Sequence, residues 1–170
     1  IISEASSTSI RPVRTVALLE FCVTRRSFAR RNSALKLWHT ATELARIAPK
    51  VGLEPAQVTA VADRVRKAFT ANFRIEGPLG PMWAYSVNGR GGVERYMDAN
   101  DLPVAMAPIW GFCKPTDEHW RTTMRFAFDR ENPGFVEGPM GGLGSRHTTR
   151  IPGARSASSC GVRYLGARPL

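Results

Sequence analysis

What the 170-residue chain lacks narrows its function before any motif is considered. Only three cysteines occur, Cys22, Cys113 and Cys160, and they are far apart. No CxxC and no Cys/His metal spacing is present, and an odd number of thiols does not make a disulfide framework. Reduced, partly buried thiols are expected, which favours a reducing, cytoplasmic setting. No apolar run approaches the roughly 20 residues that cross a bilayer, so no membrane role is expected. The opening "IISEASSTSIRP" lacks the charged-then-apolar layout of a secretory leader. It also lacks an initial Met, as a processed or partial product would. "GGLG" is not followed by the Lys-Ser/Thr of a phosphate loop, and no GxGxxG follows a strand-like run. A GxSxG nucleophile elbow is missing too. His39 and Glu43 stand one helical turn apart without further ligands, and His119 reads as an exposed first-turn residue. Neither a metal nor a cofactor is expected.

Acidic residues are scarce at both ends. The net charge is +10, but its distribution is uneven. Residues 1–36 hold seven Lys/Arg against two Glu, and residues 150–170 hold four Arg and no acid. Residues 37–149 hold 13 bases and 12 acids, so the part that reads as folded is nearly neutral. Basic ends can attract phosphate without sequence preference. The runs "SFARRNSA" and "TTRIPGARSASSC" carry no nucleic-acid motif, and a nucleic-acid partner is not expected.

What is present is helical periodicity broken by Gly- and aromatic-rich loops. Ala34, Leu37, Trp38, Ala41, Ala45 and Ala48 recur at three-to-four spacing. Asn32 or Ser33 is placed to cap that helix, and Pro49 to end it. Pro55 opens a second helix with an apolar face of Val58, Val61, Ala62, Val65, Phe69 and Phe73. The short link "KVGLE" predicts an antiparallel pair. "MWAYSV" and "VERYM" flank "NGRGG", where Asn88-Gly89 signals a tight turn and a hairpin. Asp101 reads as the N-cap of a helix with Pro103 in its first turn and a kink at Pro108. Thr116 reads as the cap of the next, whose apolar residues are Trp120, Met124, Phe126 and Phe128. Residues 1–32 form an irregular basic segment, 33–148 the folded domain, and 149–170 a basic tail with little order. The pattern predicts an all-α chain of antiparallel helical hairpins with long loops. Polar residues on such loops are candidates for function.

Three segments carry a family resemblance: "YMDANDLPVAMAPIWG" (residues 96–111), "NPGFVEG" (132–138) and "GLGSRHT" (142–148). In order and spacing they resemble glycoside hydrolase family 125, the metal-independent exo-α-1,6-mannosidases of the six-hairpin glycosidase superfamily. The resemblance implies a fragment of an (α/α)6 toroid, a mannoside substrate, hydrolysis with inversion, and no cofactor. Two departures stand out. Where the family reads "MDDAN" this chain has "MDAND", so Asp101 falls where the family has asparagine. Arg146 replaces a proline. The family's catalytic carboxylates lie in an upstream aspartate motif and a downstream glutamate. "IRPVRTVA" (residues 10–17) holds no carboxylate, and the chain stops before such a glutamate. The chain alone is therefore expected to be weak or inactive, and its catalytic residues are not assigned.

Glycoside hydrolysis needs two opposed carboxyls, usually from distant parts of the sequence. Asp98 and Asp101 are too close along the chain for that. Their carboxylates suit sugar hydroxyls instead, each able to accept strong hydrogen bonds. Asn100 can both donate and accept. Tyr96, with Trp83 and Tyr85, offers a ring face for stacking. Glu137, Ser145 and His147 belong to the matching Gly-rich loops. The candidate substrate-binding set is thus Tyr96, Asp98, Asn100, Asp101, Glu137, Ser145 and His147, on loops 82–101 and 134–148, with helix capping as a competing role for Asp101. The rival reading is a noncatalytic helical interaction module whose basic tails meet a nucleic acid or a protein.

Overall fold

A computed structural model describes residues 29–139 and 141–145. Residues 1–28 of the expected irregular basic segment and the expected 149–170 tail, together with Cys22, His147 and Cys160, lie outside the described residues.

Helix α1, Arg31–Ile47, buries Arg31, Ala34, Leu35, Trp38 and Ala41, which share one face at helical spacing. Helix α2, Pro55–Phe73, buries Ala62, Val65, Phe69 and Phe73 on the face it turns to the core. Neither helix has a side-chain cap, so Asn32 and Ser33 do not serve as expected. Most of the stability of such helices comes from tertiary packing of the apolar face. The two pack against each other. Between them, Pro49 sits in a 3-10 turn, Ala48–Val51. Gly52 ends the turn at φ +70°, and both its N–H and that of Leu53 reach the Ala48 carbonyl. A left-handed residue is required there, which glycine supplies without a Cβ penalty.

Rings fill the space between the helices and the segment that follows. Phe69 meets Trp83 and Phe112 edge to face, at 5.1 and 4.8 Å between centroids, and Trp38 meets Phe112 at 5.0 Å. Such edge contacts each add about 0.5–1.5 kcal/mol beyond area burial.

The all-α expectation needs correction. The described residues hold four α-helices and seven short strands in three small antiparallel sheets. Strand β2, Arg74–Gly77, leaves α2 directly and pairs with β3, Gly80–Trp83. Its Gly77 is required by close approach: a Cβ there would lie 2.2 Å from Met82 Sδ. The hairpin expected around Asn88-Gly89 is present, β4 (Ser86–Val87) pairing with β5 (Val93–Glu94). Asn88 Oδ1 accepts from the Arg90 and Gly92 N–H groups and holds the turn. Strand β1, Ala29–Arg30, adds to β4 from the chain's earlier part. The sheets are short because Gly, Pro and Asn interrupt the strand pattern after a few residues, as at Gly77-Pro78, Asn88 and Gly91-Gly92.

The helix expected to kink at Pro108 instead stops before it: α3 is only Leu102–Met106. Pro108 has no N–H to give the Val104 carbonyl. The Trp120 indole donates to that oxygen at 2.9 Å, so the broken ladder becomes a bond to the next helix. Helix α4, Glu118–Ala127, is capped by Asp117, which accepts from Trp120 N at 3.0 Å; Thr116 is not the cap. Its buried Thr123 accepts from Trp83 N at 2.8 Å and ties α4 to β3. Strands β6, Phe135–Val136, and β7, Gly142–Leu143, close the described chain.

Candidate functional site

The loop before α3 is built around reciprocal bonds between two aspartates. Asp98 N donates to Asp101 Oδ2 at 3.1 Å, and Asp101 N donates to the Asp98 carbonyl at 2.9 Å. Both residues are 3% exposed, so each carboxylate needs internal partners.

Asp101 finds them on α1. Its Oδ2 accepts from Arg31 Nη2 at 2.9 Å, and its Oδ1 accepts from the Asn32 amide. Asp101 stands at the N-cap position of α3, yet its side chain makes no cap bond. The capping role is corrected for a physical reason: a buried guanidinium outcompetes a neutral backbone N–H for a carboxylate. Arg31 is fully buried; its Nη1 donates to Trp83 O at 2.9 Å, and its ring neighbour is Tyr85, 5.8 Å from the guanidinium carbon. Burial lowers the Arg31 pKa, and the Asp101 charge opposes that shift. Arginine's ordinary value is high enough that it stays charged.

Asp98 faces the other way. Its Oδ2 accepts from Tyr96 OH at 2.9 Å, and its Oδ1 accepts from the backbone and side-chain nitrogens of Asn100 at 2.9 and 3.0 Å. Asn100 Nδ2 also donates to Ser145 Oγ at 2.9 Å, and Ala99 N donates to Gly144 O at 2.9 Å. The structure therefore brings Tyr96, Asp98, Asn100, Asp101 and Ser145 together, although 45 residues separate Asn100 from Ser145. Glu137 is not part of this network. It is exposed and pairs with Arg130 at 3.5 Å.

Trp83 and Tyr96 are interior, at 2% and 0% exposure, so the ring of this set that reaches the surface is Tyr85. Tyr85 meets Tyr96 edge to face at 5.0 Å. Burial raises its hydroxyl pKa first, and the nearby Asp101 charge raises it further.

Sequence reasoning missed three supports. Arg31 lay within a basic run read as loop. Asn132 is 1% exposed and clamps the Asp98 loop: its Oδ1 accepts from Met97 N and Gly134 N, and its Nδ2 donates to Met97 O and Ala127 O. Gly134 passes so close to Tyr96 and Met97 that a Cβ would lie 2.5 Å from Met97 O and 2.9 Å from Tyr96 Cε2. The "NPG" at residues 132–134 was the available signal for the last two. Among the described residues no group of three His, Cys, Asp or Glu is arranged to hold a metal ion, and no helix is long and apolar enough to cross a membrane.

The loop joins two segments far apart in sequence through a carboxylate, an amide and a hydroxyl, groups that together both donate and accept hydrogen bonds. The family of metal-independent alpha-mannosidases, GH125, matches residues 7–153, and the chain belongs to that family. A solved structure of a Streptococcus pneumoniae metal-independent alpha mannosidase, a non-productive substrate complex with alpha-1,6-mannobiose, is similar in fold: TM-score 0.63 at 25% identity, over 71% of this chain. The chain spans 30% of that protein's length. No curated protein matches the chain.

Proposed function

We propose that the chain supplies one wall of the sugar site of an inverting exo-α-mannosidase, within a fragment of an (α/α)6 toroid. Asp98 and Asn100 receive sugar hydroxyls, with Ser145 on the facing loop, and Asp101 and Tyr96 hold the first two in place; His147 is proposed as a further ligand on sequence resemblance alone. Glu137, exposed and paired with Arg130, is not assigned a place in that set. The observation that carries this reading is the Asn100–Ser145 bond, which couples the two loops whose sequences resemble the family. The mannobiose seen in the Streptococcus pneumoniae relative supports a mannoside as the ligand.

The chain by itself is proposed to bind without efficient turnover, because its Ile10–Ala17 text offers no second carboxylate. Calorimetric titration of the 170-residue chain with α-1,6-mannobiose and with maltose tests this. Saturable binding of mannobiose alone, weakened by Asn100→Ala, is expected. Equal heats for both sugars, or none for either, would sink the reading.

A further inference from the structure

Away from the Asp98 loop, a cleft of about 350 Å³ opens between α2, β3 and the turn that leads into α4. Three cations line it: Arg66, Arg74 and Lys114. The Arg66 guanidinium lies over the Trp38 ring at 4.5 Å and the Phe112 ring at 4.7 Å, and it donates to the carbonyls of Gly111 and Phe112. These contacts fix its position, and the acid that acts on its charge, Asp63, does not line the cleft. Among the described residues neither Arg66 nor Lys114 forms an ion pair. Arg74 has one acidic neighbour, Asp117, at 3.8 Å, beyond hydrogen-bond range. Asp117 is also committed to capping α4. The positive end of that ten-residue helix adds to the same rim.

Among the lining side chains, three cations stand against one carboxylate, a net +2, with Asp63 acting on Arg66 from outside the lining. A carboxylate ligand would offset half of this, and a phosphate monoester, which carries nearly two negative charges at neutral pH, offsets almost all of it. The volume is at the lower end of small-molecule pockets, roughly 300–1,000 Å³, and leaves room beside a phosphate for a sugar ring. Thr70 and Thr116 offer hydroxyls to such a ring.

We infer that this cleft binds a small phosphorylated sugar, with its phosphate between Arg74 and Lys114. The inference is independent of the mannoside reading. The test is calorimetric titration of the 170-residue chain, in a phosphate-free buffer, with glucose 6-phosphate and with glucose. Glucose 6-phosphate should bind saturably and glucose should not. Arg74→Gln and Lys114→Gln should each weaken binding about tenfold, the loss expected for a charge-assisted bond. Both side chains are substantially exposed, so helix content by circular dichroism should be unchanged. Asp117→Asn should tighten binding, while Arg130→Gln, on the exposed Glu137 pair, should leave it unaltered. No saturable binding of glucose 6-phosphate, equal binding of glucose, or affinity unchanged in both cation variants would overturn the inference.

Discussion

Asp101 and Arg31, 70 residues apart, form a buried ion pair at 2.9 Å, and the same Asp101 oxygen accepts the Asp98 N–H. One carboxylate thus fixes the start of α1 and the loop that carries Asp98. Its two oxygens are shared among a guanidinium, an amide and a backbone donor.

Removing one partner of this pair strands the other in the interior. Arg31→Met or Asp101→Leu should each cost about 3–5 kcal/mol, well above the 0.5–2 kcal/mol of a lost helix cap. The double variant should cost less than the two single losses combined, because no unpaired charge remains. Urea unfolding of all four proteins gives the cycle. Single costs below about 1 kcal/mol would show that water reaches the pair.

Asn132 is the second support. Four hydrogen bonds meet its side chain, one accepted from Met97 N and one donated to Met97 O. Asn132→Ala should destabilise by about 2–4 kcal/mol, since buried backbone groups lose their partners. Hydrogen exchange should rise at Met97 and Gly134 before it rises in α2. Uniform exchange throughout would mean that Asn132 serves the whole core and not this loop.

Glycine 134 gives a sharper local test. The clash of a Cβ with Met97 O is with backbone, which cannot swing aside. Gly134→Ala should cost about 1–3 kcal/mol, as overpacking does. Tyr96 should move with it and lose its bond to Asp98, which a shift in near-ultraviolet circular dichroism would report.

How much of this was legible in the sequence divides along range. Helices α1 and α2 announced themselves because their apolar spacing is a local property, and Ala34, Trp38, Val65 and Phe69 are buried as that spacing requires. Asn88-Gly89 announced its turn for the same reason. The Arg31–Asp101 pair did not, because nothing local marks one arginine in a basic run as the one that turns inward. Strand pairs of two residues are equally hidden: Ala29 meets Val87 through tertiary approach, not through propensity. The grouping of Asp98, Asn100 and Ser145 was reached through family resemblance, whereas the role of Asp101 was misread as a local cap.

Cys113 is predicted to be a sluggish thiol. Burial, reinforced by the Asp117 charge, pushes it up to about 12 from an ordinary 9. Its thiolate fraction at pH 8 is then lower by up to about a thousandfold, since the thiolate is the nucleophile. It is only half-buried, so solvent softens the effect, and iodoacetamide labelling should be at least about tenfold slower in the folded chain than in urea. Peptide mass spectrometry reads this directly. The raised value also sets the sign of the pH dependence: the unfolded thiol loses its proton first, so stability falls as pH rises from 9 toward 12. Labelling at equal rates folded and unfolded would refute the burial.

The last prediction separates Asp98 from Asp101. A surface carboxylate before α3 would be removable at almost no cost in stability. Burial at 3% and bonds to Tyr96 and Asn100 change that expectation: Asp98→Ala should cost about 1–3 kcal/mol. Asp98→Asn keeps the shape and one acceptor, so its cost should stay near 1 kcal/mol, while any sugar hydroxyl loses a charged acceptor. The expected outcome is therefore a split. Asp98→Asn should weaken mannobiose binding about tenfold with little change in melting temperature. Asp101→Asn should lower the melting temperature first, because the Arg31 charge is left without its counter-ion. Calorimetric titration and thermal melts on both variants give the four numbers needed. If Asp101→Asn lost sugar binding with its melting temperature intact, the functional carboxylate would be Asp101, and Asp98 would be the one that holds it.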